Sequence, residues 1–262
     1  MGESLRLRSG RGPGEAPGRA RGAAVLAALL LALPAGAEEF PHFDPDEVKL
    51  GQLLFYDPVL SGNREVACAT CHHPRFGTSD GVSLGIGDGG AGLGPERRPD
   101  PENLPERRVP RNATALFNLG YPEFRVMFHD GRLEEDPAQP GGIRTPLGAE
   151  MVAGFDGVLA AQTMFPVLSQ DEMSGHYGEN EVSTAVRQGL LTGEDGAWAR
   201  ITARVAAIPD YRDRFAALQG DGPVGFTDIA NALGAFIAAE WRADDSPYDL
   251  CGWLLHSKTF LR

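Results

Sequence analysis

Cysteine is scarce in this chain. Three residues in 262 leave no material for a disulfide framework or a four-cysteine zinc site. Positive charge is also short. The 24 Lys and Arg face 36 Asp and Glu, for a formal net charge of −12. That sign disfavours a nucleic-acid partner, whose phosphates ask for basic contacts. It suits a plain solvated surface, or an acidic face that steers a basic redox partner. Long apolar runs are missing too. The run at residues 23–33 falls short of the ~20 residues needed to cross a bilayer, so an integral membrane protein is not expected. No stretch shows convincing strand-like alternation, so the chain is expected to be mainly α-helical.

Two of the three cysteines sit together, in Cys68-Ala69-Thr70-Cys71-His72. This CxxCH spacing is the pattern of c-type haem attachment. On one helical turn, two thiols can reach the two vinyl groups of a haem and form thioethers. The histidine that follows, His72, then faces the iron as its ligand. A redox dithiol would call for a βαβ setting, which is absent. Half a zinc site would need a second ligand pair, and Cys251 stands alone. One covalently bound haem c is therefore expected.

The N-terminus carries Arg6, Arg8, Arg11, Arg19 and Arg21, then the apolar run 23–33, then Pro34-Ala35-Gly36-Ala37. That is a basic n-region, a short h-region and an A-x-A-like cleavage site. Residues 1–37 are read as a signal peptide for export to the periplasm; an uncleaved interfacial anchor is the other reading. Cleavage takes five arginines and two glutamates and leaves a net charge of −15.

Residues 44–56 read as a helix, with Asp44 as cap and Val48, Leu50, Leu53 and Leu54 on one face. A short helix must carry Cys68 to His72. Residues 77–110, rich in glycine and then proline, read as one long irregular loop. Helical spacing returns at 157–165, 180–191, 198–207, 211–218 and 226–242. Trp198, Phe215, Phe236 and Trp241 are core candidates. Met127, Met151, Met164 and Met173 suit either core filling or axial ligation of a haem.

Several flanking segments occur in a fixed order. They are Leu50-Gly51-Gln52-Leu53-Leu54-Phe55-Tyr56-Asp57-Pro58, Leu60-Ser61-Gly62-Asn63, Arg111-Asn112 with Asn118, Phe128-His129-Asp130-Gly131-Arg132, Glu172-Met173 and Asp245-Ser246-Pro247-Tyr248-Asp249. Over about residues 43–250 this set resembles the bacterial di-haem cytochrome c peroxidases and their MauG-like relatives. The resemblance implies a cytochrome c-like helical haem domain with long irregular Gly/Pro-rich loops over residues 38–245. Residues 246–262 would be a hinge and an atypical tail, the truncated start of a second haem domain. It implies a periplasmic c-type haem peroxidase or a MauG-like haem oxidase. Hydrogen peroxide would be the substrate and a small redox protein the electron donor, with calcium and a homodimer as further features of the family. A mono-haem electron carrier without catalysis is the alternative, and a non-functional fragment a third.

The resemblance also suggests roles. Glu172 would be the distal acid/base over the iron, supported by Gln162 and Pro166, with Glu150-Met151 as a decoy of the same type. His129 stands where the family usually has a tryptophan that relays electrons between haems. Arg111 is a candidate partner for a haem propionate. Gly85-Ile86-Gly87-Asp88 has no histidine where the family often supplies a distal one, so an open iron site is expected.

Overall fold

The computed structural model describes residues 40–247. The expected signal segment lies outside the described residues, as do Tyr248, Asp249, Cys251 and His256. Helix α1 (Pro45–Tyr56) begins where Asp44 Oδ1 accepts from the Asp46 N–H at 2.8 Å and Pro45 occupies the first turn. It stops at Asp57, which caps the next 3-10 turn through the Val59 N–H at 2.8 Å and accepts from Tyr211 Oη at 2.7 Å.

Six more α-helices follow among the described residues: α2 (Cys68–Cys71), α3 (Val158–Gln162), α4 (Glu181–Arg187), α5 (Ala197–Ala206), α6 (Pro209–Gln219) and α7 (Phe226–Glu240). Helix α7 is the spine. Its small residues Ala230, Ala232, Gly234 and Ala235 let neighbours approach closely. A Cβ at Gly51 would collide with the Ala232 carbonyl, so α1 and α7 touch backbone to backbone there. Leu50, Leu54, Phe55, Phe215, Ile229, Leu233 and Phe236 fill the space between, almost free of solvent. Phe55 lies 5.3 Å from Phe236 and 5.1 Å from Trp241, and Trp198 stacks on Phe226 at 4.9 Å. The four aromatic core candidates are all buried.

The fold is mainly α, with β structure confined to short pieces. Strands β1 (Gly90–Ala91) and β2 (Arg98–Pro99) pair inside the long loop. Strands β3 (Val126–Met127), β4 (Leu133–Glu135) and β5 (Ile143–Arg144) form an antiparallel sheet in the order β3-β4-β5. At two or three residues each, such strands are too short for alternation to register in the sequence. They cover a small second core of Met127, Leu133, Ile143, Val158 and Ala161. No helix among the described residues is long and apolar enough to cross a membrane.

Candidate cofactor and active site

Helix α2 is a single turn laid against α1. Ala67 precedes it, and Thr70 Oγ1 accepts from the Ala67 N–H at 3.0 Å. The Cys68 and Cys71 thiols are unpaired and half-buried. Burial pushes them up to about 12 and about 11, so both stay neutral at ordinary pH. His72 Nδ1 lies 3.1 Å from the Thr78 carbonyl and 3.0 Å from the Thr114 carbonyl. A carbonyl only accepts, so Nδ1 carries the ring proton and Nε2 is the bare nitrogen, the state a metal needs. Burial lowers the pKa of His72, against the pull of those two bonds, and so favours the neutral ring.

Two of these supports were not foreseen. Thr78 is a buried β-branched residue at φ +59°, a region that such side chains avoid. Its contacts hold it there: the carbonyl lies on His72, and the hydroxyl accepts from the Leu116 N–H at 2.7 Å. Thr114 contributes its backbone carbonyl. The neighbouring asparagines are anchors. Asn112 Nδ2 donates to the Val82 carbonyl at 2.7 Å and Asp80 Oδ1 at 3.0 Å, and Asn118 pairs twice with the Ala243 backbone.

Glu172 sits in a π turn, Gln170–Ser174, in which the Glu172, Met173 and Ser174 amides all point at the Ser169 carbonyl at 2.9–3.2 Å. Such turns recur at functional sites because they redirect one side chain. Met173 goes into the core, while Glu172 stays half-buried. The turn is held on two sides. Gly87 meets the backbone at Asp171 and Glu172 so closely that a Cβ would come within 2.6 Å of Glu172 Cα. Arg107 pairs with Asp171 at 3.3 Å, and Gln170 Nε2 donates to Glu106 at 2.7 Å. The histidine-free 85–88 segment therefore lies against the Glu172 backbone.

Burial raises the pKa of Glu172, with Asp171 adding and a Ser169 hydrogen bond opposing. Through Gly87 its turn adjoins the segment whose Ile86 lines one cavity with Cys71. Glu150 is exposed.

His129 is exposed on the turn between β3 and β4, and Arg111 is exposed as well. Neither is brought against α2. Met127, Met164 and Met173 are buried in the two cores, where each fills space. Asp88, His176 and Glu179 each bring one ligand atom to within 4.8 Å of the others. The imidazole nitrogen does not suit calcium, which takes oxygen ligands.

Asp88 is buried. Asn63 Nδ2 reaches its two oxygens at 3.1 and 3.3 Å and Glu179 at 2.7 Å. Burial first, then Glu179, push its carboxyl from 3.8 to about 6. The folded state thus keeps this proton longer than the unfolded chain. The stability it contributes is full below about pH 4 and is lost as pH rises through about 6. Asp88→Asn is accordingly expected to stabilise the protein on the order of 1–2 kcal/mol at pH 7.5 and by nothing at pH 4. Thermal unfolding at the two pH values checks this, and an equal gain at both would refute it.

These residues fit a covalently held haem. Two neutral thiols stand one turn apart, an imidazole has one nitrogen already committed, and a bare glycine backbone lies against the turn of a carboxyl group whose pKa burial raises.

Comparison with known proteins agrees in kind. The profile described as di-haem cytochrome c peroxidase matches residues 45–254. The methylamine utilization protein MauG of Methylorubrum extorquens is 35% identical over 144 residues, which is 49% of this chain and 40% of MauG. The cytochrome c551 peroxidase of Pseudomonas aeruginosa is 26% identical over 204 residues, 77% of this chain and 41% of the peroxidase. A crystal structure of a MauG-like protein associated with microbial copper homeostasis overlays with a TM-score of 0.49 at 25% identity, covering 84% of this chain and 49% of that one. The chain spans less than half the length of these relatives.

Proposed function

The chain belongs to the di-haem cytochrome c peroxidase family, and from that premise we propose that residues 38–245 form a haem domain that reduces hydrogen peroxide or acts as a MauG-like oxidase. The observation that carries the proposal is the placement of Glu172. Of the two Glu-Met pairs, this one is half-buried, burial raises its carboxyl pKa, and its turn packs on Gly87, while Glu150 is exposed.

Cys68 and Cys71 would hold one haem c through thioether bonds, and His72 would ligate its iron through Nε2. When bound, the haem supplies the iron site at which peroxide meets electrons. The chain's own groups do the rest. The Thr78 and Thr114 carbonyls keep the proton on Nδ1 of His72 and so fix the ring. Burial favours the protonated form of Glu172, and its carboxyl would pass a proton between two oxygens, the work of a general acid/base. The carboxylate it leaves behind is not free to wander, because the π turn and Gly87 fix the backbone beneath it.

Electrons would come from a small redox protein drawn to the acidic surface. His129, on the exposed β3–β4 turn, would lie on the path by which they enter. The periplasm is the compartment we propose, from the basic and apolar N-terminal segment and the haem attachment motif. The electron-carrier reading is not favoured, since Met127, Met164 and Met173 are buried in the two cores and Met151 packs against them.

The spin state of the ferric protein tests the proposal. At least part of the iron is expected to be high-spin, because Gly85-Ile86-Gly87-Asp88 offers no histidine. Electron paramagnetic resonance reads this directly. A wholly low-spin spectrum would transfer the protein to the carrier class.

A further inference from the structure

Asp88, His176 and Glu179 come from distant parts of the chain, yet each brings a ligand atom to within 4.8 Å of the others. Like charges held this close, one of them buried, ordinarily take a cation between them. Among the described residues no Lys or Arg pairs with either carboxylate. Arg97 is buried nearby and the Asp88 charge reaches it through space, but its guanidinium donates to the Ile86, Gly87 and Gly92 carbonyls. What joins the two carboxylates is a neutral amide. Asn63 Nδ2 faces both oxygens of Asp88 and one of Glu179, three acceptors for two hydrogens.

The histidine is under-used as well. Its Nδ1 has only distant company, Gln170 Nε2 at 3.5 Å and Glu106 Oε1 at 3.6 Å. Its Nε2 is buried with no hydrogen-bond partner. A buried polar atom without a partner calls for an explanation, and an ion is one.

The cluster is braced from behind. Asn180 Nδ2 donates to Asn63 Oδ1 at 2.8 Å and to the Ser174 carbonyl at 3.0 Å, and the Gly62 N–H donates to the Met173 carbonyl at 2.7 Å. The His176 N–H donates to Glu179 at 2.8 Å. Gly175, at φ +84°, leaves the room: a Cβ there would stand 2.8 Å from Asn63 Nδ2 and 3.0 Å from Glu179 Oε2.

We propose that Asp88, His176 and Glu179 bind one divalent transition-metal ion, which clasps the long loop at residue 88 to the segment that follows the π turn. The donor set decides the class. Two carboxylates balance a divalent charge, and an imidazole selects zinc and its neighbours over calcium and magnesium. Three protein ligands leave a fourth position for water. Ligand atoms around a tetrahedral zinc stand roughly 3.4 Å apart, so the three atoms close by no more than about 1.4 Å. Glu179 is exposed and has room to make that move. The site goes beyond the haem reading and does not depend on it.

Zinc chloride titrated into the full chain as purified, followed by isothermal calorimetry, tests the site. Wild type is expected to take up one ion here. Even a residue that only orients a ligand is worth about 10–100-fold in affinity, so loss of a ligand should cost no less. Asp88→Asn, His176→Gln and Glu179→Gln are therefore each expected to weaken binding at least about tenfold, while Glu150→Gln, an exposed carboxylate elsewhere, binds as wild type. Zinc X-ray absorption is expected to show nitrogen and oxygen neighbours at about 2.0–2.2 Å. Calcium is expected to bind more weakly than zinc.

No uptake of zinc by wild type would overturn the proposal. Wild-type affinity in all three cluster variants would also overturn it, since the ion would then be held adventitiously elsewhere. A sulfur neighbour at about 2.3 Å would place the ion on Cys68 and Cys71 and remove the site, and calcium bound as tightly as zinc would remove the histidine from it. If Asp88→Asn or His176→Gln fails to fold, the exposed Glu179 decides, and undiminished zinc binding in Glu179→Gln overturns the site.

Discussion

Glu172→Gln is expected to slow the reaction of the ferric protein with hydrogen peroxide by about 10²–10⁴-fold, the usual loss when a general acid/base is removed. Glutamine keeps the shape of the side chain and its place on the π turn, and removes only the exchangeable proton. The effect should be large because this carboxyl is one that burial holds above its ordinary 4.5. Glu150→Gln is the control. Glu150 has the same methionine neighbour but is exposed. Stopped-flow mixing with peroxide gives the rates. Equal rates in wild type and both variants would take Glu172 out of the chemistry, and a greater loss in the Glu150 variant would name the wrong pair.

The second large effect is on the cofactor itself. Cys68→Ala together with Cys71→Ala should abolish covalent haem altogether, and each single variant should leave at most one thioether. The reason is geometric. The two thiols lie three residues apart on one turn, and no other described cysteine exists to replace either. Haem staining after denaturing electrophoresis reads the outcome. Full staining of the double variant would mean that α2 is not the attachment site.

Much of the site was readable from the chain. CxxCH is a local motif, and its helix forms where the spacing puts it. The choice of Glu172 over Glu150 also followed from residue order, and burial separates the two. The helices were readable because amphipathic spacing is a local property: 44–56 was expected and Pro45–Tyr56 is found. Other features were out of reach because they depend on distant partners. Thr78 and Thr114 act through backbone carbonyls, which every residue has, so nothing in their side chains marks them. Arg97 looked like one of many loop arginines. Only the folded loop shows that residues 85–89 run inside the protein and that this guanidinium follows them. His129 and Arg111 were chosen by motif position, and the described residues leave both in solvent.

The three amides that converge on Ser169 have a consequence for inheritance. The π turn stands between the extended Ser169 and Gly175 at φ +84°, with no α-helix adjoining it to absorb a lost residue. Deleting one of its five residues therefore breaks the convergence itself, and Glu172 loses the backbone that positions it. Any screen of natural variants should count the residues from Pro166 to Gly175 before it compares their identities.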